Sequence, residues 1–207
     1  MQMMRNCLIQ KIFVYTTLAL IFLQVGIIIG SWIAAAAMPE SSIRSLISGD
    51  GIRWFLGMFT NNVGTPVLVW IILIGFAFGS LNNSGLANIL IKRNSINARI
   101  KFGLKLVVVE VICFIIIILL LTITPHAILL SVTGTLFPSS FTRSLIPVLA
   151  FAIIIFSLSF GIATGKIVNL VECFSALISG INLLSPIFLV YVVASQLYSS
   201  ILWVMQW

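Results

Sequence analysis

Four acidic residues, one histidine and three cysteines are few groups from which to build a metal site or a carboxylate, imidazole or thiol acid–base pair. A catalytic or structural metal site needs several nitrogen, sulfur or oxygen ligands at set spacings. His126 has no second histidine to pair with, and its place beside Pro125 fits a loop at the end of a helix. Cys7, Cys113 and Cys173 form neither a CxxC pair nor an even disulfide framework. Neither a P-loop nor a GxGxxG turn occurs. The expectation is therefore no enzyme, no metal site and no cofactor. Glu110 stands apart because it falls inside an apolar run. A charge at the bilayer centre costs on the order of 3 kcal/mol on insertion scales, and intramembrane acids are candidates for function. Glu110 follows Lys105 by five residues, about 7–8 Å of helical rise. Reach to the cytoplasmic interface is the favoured reading, ahead of a coupling or pairing role. Asn61, Asn62 and Gln196 are weaker candidates for hydrogen bonding to a substrate, since such amides more commonly cap helices or join them.

The elements that would position these groups are membrane helices. Hydrophobic residues make up 61% of the chain and charged residues 7%, against roughly 25% charged in a soluble domain. Recurrent apolar runs of about 18 residues or more each predict a spanning helix. The reading is an all-α integral membrane protein, a single membrane domain with about five spans: 12–37, 63–81, 106–124, 144–164 and 183–204. The first is expected to be an uncleaved helix rather than a signal peptide. Residues 43–62 mix Arg44, Asp50 and Arg53 with Trp54 and large aliphatics, which predicts an interfacial helix. Residues 86–105 carry Lys92, Arg93, Arg99, Lys101 and Lys105 and no acid, which predicts a second one drawn to anionic lipid. Residues 165–182 read as a re-entrant or interfacial link. Gly75 and Gly79, and again Gly161 and Gly165, have the GxxxG spacing that lets helix backbones approach closely.

Several segments in order resemble the AbgT family, bacterial transporters associated with p-aminobenzoyl-glutamate. They are Ser45-Leu46-Ile47-Ser48-Gly49-Asp50-Gly51-Ile52-Arg53-Trp54, then Phe59-Thr60-Asn61-Asn62-Val63-Gly64, then Gly75, then Ser84-Gly85-Leu86. Gly134-Thr135-Leu136, Pro138-Ser139 and Ile146-Pro147 follow, then Gly161-Ile162-Ala163-Thr164-Gly165-Lys166-Ile167 and Val193-Ala194-Ser195-Gln196. The resemblance implies a transport-related protein of the bacterial inner membrane, working as a homodimer or with a second membrane protein. It also implies the frame of helices without most of the hairpin-bearing core. Where the family has a long core segment with an intramembrane Asp, this chain has the basic 82–105 link. No core functional residue of the family has a matching position, so none is carried over. A non-transporting accessory or scaffold subunit is the alternative.

The net charge of +7 comes without a basic groove interleaved with aromatics, so nucleic acid is not an expected partner; the lipid bilayer is. With the N-terminus inside, the cytoplasmic segments hold eight basic residues: Arg5, Lys11, Lys92, Arg93, Arg99, Lys101, Lys105 and Lys166. The outer segments hold three, Arg44, Arg53 and Arg143, which completes the eleven of the chain. The excess of Lys and Arg on one side predicts N-in, C-out. In a cysteine-free background, a single cysteine at Asn97 is expected to resist an impermeant thiol reagent in intact cells, and one at Thr133 to react. The reverse labelling pattern contradicts this orientation.

Overall fold

The structure is a computed structural model that describes residues 2–91, 97–123 and 140–206. In chain order the helices are α1 (Gln2–Ala37), α2 (Gly49–Gly57), α3 (Phe59–Val63), α4 (Pro66–Ser84), α5 (Leu86–Ile91), α6 (Ala98–Ile123), α7 (Ser140–Thr164) and α8 (Leu170–Met205). There is no strand among the described residues. Five of the helices, α1, α4, α6, α7 and α8, are long and apolar enough to cross a membrane, the arrangement of a multi-pass membrane protein. His126, Gly134 and Pro138 lie outside the described residues, as do Lys92 and Arg93.

Three regions differ from the sequence reading. The basic stretch 86–105 is not one interfacial helix. Its first part is the short α5, and Arg99, Lys101 and Lys105 belong to the opening turns of α6. Lys and Arg are good helix formers, so the helix extends well before the apolar run starts. The expected link 165–182 is also mostly helical, because α8 begins at Leu170. Glu172 sits in its first turn and accepts a hydrogen bond from the Val168 backbone N–H at 2.7 Å, which satisfies a free donor where the helix starts. The 43–62 region forms α2 and α3, two short helices rather than one.

Burial runs opposite to a soluble core. Large apolar side chains such as Phe22, Trp32, Phe102, Val109, Leu120 and Phe151 are exposed. Most of the buried positions are small or hydroxylic, among them Thr17, Ser31, Gly75, Ala77, Gly79, Ser80, Ser84, Ala150, Ala152, Ser157, Ala176 and Ser200; the larger buried side chains are Leu46, Leu86, Phe160, Ile167 and Gln196. In lipid there is no hydrophobic drive between helices, so close backbone approach and internal hydrogen bonds must hold them together. Ser80 and Ser84 return their hydroxyls to the carbonyls of Ala77 and Leu81, and Ser200 does so to Gln196.

The chain divides into two units, Met1–Val69 with Leu184–Trp207, and Trp70–Leu183. In the first, the segment before α2 lies on both α1 and α8. The Leu46 N–H donates to Ser31 Oγ at 3.1 Å, and the Arg44 N–H donates to the Val204 carbonyl at 3.1 Å. Gln206 donates to the Ser42 carbonyl. Trp54 stacks on Trp203 with ring centres 5.2 Å apart, and Arg44 lies 5.7 Å over the same ring. Ser48 caps α2 by accepting from the Gly51 N–H. A Cβ on Gly51 would stand 2.5 Å from the Ser45 carbonyl oxygen, so this glycine allows the turn to fold onto its helix.

In the second unit, α4 and the first part of α8 touch backbone to backbone. A Cβ on Gly79 would lie 2.5 Å from the Ala176 oxygen and 2.6 Å from the Gly180 nitrogen, and one on Gly180 would overlap the Gly75 carbonyl oxygen. Asn83 extends the contact, donating to Ser179 Oγ at 2.6 Å and to the Ala176 carbonyl at 3.4 Å. Gly161 on α7 is crowded by side chains rather than backbone: a Cβ would stand 2.5 Å from the Ile167 side chain and 3.3 Å from that of Ser84. Gly165 does something else. With φ of +74° it takes the left-handed conformation that ends α7, and the Lys166 and Ile167 N–H groups turn back to the Gly161 carbonyl. Gly180→Val is expected to lower stability in detergent by about 2 kcal/mol or more, the usual scale of overpacking. Gly26→Ala, where an added methyl meets nothing within 4 Å, should stay within about 0.5 kcal/mol. Thermal unfolding of the two variants beside the parent chain checks the contrast.

Candidate functional site

The polar residues of the first unit gather along α8 where the chain breaks between α3 and α4. Val63 ends α3 and Pro66 starts α4, leaving Gly64 and Thr65 outside either helix. Proline has no N–H to contribute and suits the first helical position. The break frees the Val63 carbonyl from a helical partner. It accepts the Tyr191 hydroxyl at 2.7 Å and the Thr65 N–H at 2.8 Å. Because the Tyr191 proton is committed to that carbonyl, the 2.5 Å contact with Thr65 Oγ1 has Thr65 as donor. One tyrosine thus stitches both edges of the break to α8.

One and a half turns further along α8, Gln196 faces the same region. Its side-chain oxygen accepts from Asn62 Nδ2 at 3.2 Å. A turn beyond, Ser200 donates to the Gln196 backbone carbonyl at 2.8 Å and accepts from Gln24 Nε2 of α1 at 3.0 Å. Asn62, Gln196, Ser200 and Gln24 therefore form a neutral polar line joining α3, α8 and α1. Gln196 is 5% exposed and Ser200 0% exposed. Two polar atoms in the line are buried without a partner, Gln196 Nε2 and Gln24 Oε1. One is a donor group and the other an acceptor, so the line can still both give and take hydrogen bonds.

The four sequence candidates separate. Asn62 and Gln196 are brought together. Asn61, next to Asn62 in the chain, is exposed and donates to the Met58 sulfur at 3.4 Å. Glu110 lies in the second unit on α6, half-buried, with Oε2 buried and unpartnered. Tyr191, Ser200, Thr65 and Gln24 were not anticipated. Their partners are more than 120 residues away in sequence, and only the break signalled by Gly64-Thr65-Pro66 hints that a freed carbonyl needs a donor. Among the described residues no three His, Cys, Asp or Glu side chains gather closely enough to hold a metal ion.

A line of amides and hydroxyls can orient a polar group or order water, but it supplies no charge to balance an anion. Interhelical hydrogen bonds of this sort contribute about 0.6 kcal/mol on average and up to about 1.7. A double-mutant cycle of Asn62→Ala and Gln196→Ala, read by unfolding in mild detergent, is expected to give a coupling energy in that range. Strict additivity contradicts the pairing. Comparison with protein-family models gives no match to this chain, and comparisons with curated proteins and with solved structures likewise give none.

Proposed function

We propose that this chain is the helical frame of a membrane transport assembly of the AbgT type, residing in the bacterial inner membrane and acting as a homodimer or with a second membrane protein. The observation that carries the reading is the α3–α4 break with its buried polar line. Transport proteins set their sites where helices are interrupted and freed backbone groups line a path, while polar side chains inside a bilayer are otherwise expensive. Two of the segments that resemble the family also do defined mechanical work here. Gly51 in the SGDGIRW segment fits the turn onto α2, and Gly165 in the GIATGKI segment ends α7. The proposed orientation is N-in, C-out, and the proposed role involves no catalysis.

In this reading the frame does not move substrate unaided. A dianion such as p-aminobenzoyl-glutamate needs compensating positive charge at the midplane, and the polar line is neutral. A second reading, an accessory or scaffold subunit with no substrate path of its own, is favoured by the outward faces of α1 and α6. Thr17 and Ser31 are the only buried residues among those described in α1, and Gly103 is the only one in α6. Helices so little covered are suited to meet lipid or another chain along their length.

The experiment is uptake into liposomes. The purified chain alone is expected to give no accumulation of p-aminobenzoyl-glutamate above empty liposomes under an imposed sodium or proton gradient. Uptake should appear when the chain is reconstituted with the membrane protein that copurifies in mild detergent. Saturable uptake by the chain alone contradicts the frame reading. Absence of uptake with the partner present favours the scaffold.

A further inference from the structure

The first unit holds a polar recess that the transport reading does not use. Its volume is about 450 Å³, and it is lined by Arg44, Ser45, Ser48, Asp50 and Trp203. Small-molecule sites commonly run from roughly 300 to 1,000 Å³, so the recess has room for a small organic group. It is built where α1 and α8 end together. The segment after α1 is tied to both helices, by the Leu46 N–H on Ser31 Oγ and the Arg44 N–H on the Val204 carbonyl, each at 3.1 Å. Both helices are long and apolar enough to cross a membrane, so their shared end falls at the level of lipid headgroups. Trp54 and Trp203, stacked there, are of the residue type enriched at that level. Beside the recess, α2 carries Ile52 and Leu56, four residues apart and exposed, an apolar stripe that suits acyl chains.

The lining offers charge of both signs. The Arg44 guanidinium lies over the Trp203 ring, with no carboxylate at ion-pair distance among the described residues. Asp50 meets Arg53 at 3.9 Å, and both side chains are almost fully exposed, so that pair holds Asp50 only weakly. Ser45 Oγ accepts from the Ile47 N–H at 3.3 Å, which leaves its own proton for a ligand oxygen. The Ser48 hydroxyl is committed: it donates to the Ser45 carbonyl at 2.6 Å and accepts from the Gly51 N–H at 3.1 Å. Trp203 is committed too, since Trp54 stacks on its ring and Arg44 lies over it. That leaves no open aromatic box for a quaternary ammonium. An anion alone would meet the Asp50 carboxylate, and a cation alone would meet Arg44. A group that carries both charges a few bonds apart suits the two together.

We propose that this recess binds the headgroup of a zwitterionic phospholipid with a primary ammonium, a phosphoethanolamine ester. The Arg44 guanidinium and the Ser45 hydroxyl donate to the phosphate oxygens, and the Asp50 carboxylate accepts from the ammonium. A guanidinium matches phosphate oxygens in charge and in the geometry of its donors. A carboxylate needs N–H donors, which a primary ammonium has and a trimethylated one lacks. A glycerol headgroup brings the phosphate but no cation to offset Asp50. The occupant is a lipid rather than a free phosphate ester because the recess lies at the shared end of two spans, with an apolar stripe beside it. The site stands whether or not the chain serves transport, since it concerns only the membrane-surface end of α1 and α8.

The test is native mass spectrometry of the purified full chain in mild detergent. Phosphatidylethanolamine, phosphatidylcholine and phosphatidylglycerol with identical acyl chains are added in equal amounts. The ethanolamine lipid is expected to be retained about fivefold or more over each of the others, the scale of one charged contact at a surface. Asp50→Asn should abolish the preference over the choline lipid, and Arg44→Gln should lower retention of all three. Both side chains are exposed, so the fold should survive, and thermal unfolding of each variant checks that it does. Arg44→Lys keeps the charge and should keep most of the binding. Equal retention of the three lipids by the parent chain, or a preference that survives Asp50→Asn in a folded variant, overturns the proposal. Glycerophosphoethanolamine, the same headgroup without acyl chains, is expected not to displace the lipid at equal concentration. Displacement by it would overturn the lipid as occupant.

Discussion

The contact between α4 and the first part of α8 is the constraint on which the second unit depends. Gly75, Gly79 and Gly180 bring two helical backbones together with no room for a Cβ at Gly79 or Gly180. Apolar side chains gain nothing from leaving lipid for one another, so contact must come from dispersion at short range and from hydrogen bonds that close approach permits. The Asn83 bonds to Ser179 and Ala176 become possible only at that separation. At the same end, Gly85, with φ of +76°, ends α4, and the Lys166 ammonium lies over it. A cation there faces the carbonyl end of α4, where the helix dipole favours positive charge.

The same solvent explains what is buried. Thr17, Ser31, Ser80, Ser84 and Ser200 all return their hydroxyls to carbonyls three or four residues earlier in the chain. They are small enough to sit at helix contacts and leave no orphaned proton behind. Against that background the exceptions carry information. Gln24, Gln196, Glu110 and Ser157 each keep a buried polar atom without a partner. Two of them belong to the line beside the α3–α4 break in one unit, and the other two lie on α6 and α7 in the other.

The spans were legible because length and hydropathy alone set them, and the Gly75–Gly79 spacing was legible because close packing needs small residues four apart. Helix ends were less so. Hydropathy falls at Arg99, Lys101 and Lys105 and again at Glu172 and Asn182, yet backbone hydrogen bonding continues through polar residues, so α6 and α8 start earlier than their apolar runs. Gly165 was legible only as a spacing of four from Gly161, and its positive φ, which ends α7, has no signal in that spacing. The link between Asn62 and Gln196 spans 134 residues. Nothing local signals such a pairing, and only the fold brings it about. Gln196 could be marked as an amide inside a span, but not matched to its partner.

The central claim is that α4 and the beginning of α8 lie in backbone contact, so the most direct measurement is a cross-link across that contact. With Cys7, Cys113 and Cys173 replaced by serine, Asn83→Cys and Ser179→Cys would be introduced together in the full chain in membranes and treated with a short bifunctional thiol reagent. The account predicts rapid intramolecular cross-linking that neither single cysteine gives. Free thiols persisting at both positions, with other sites reacting normally, would contradict it.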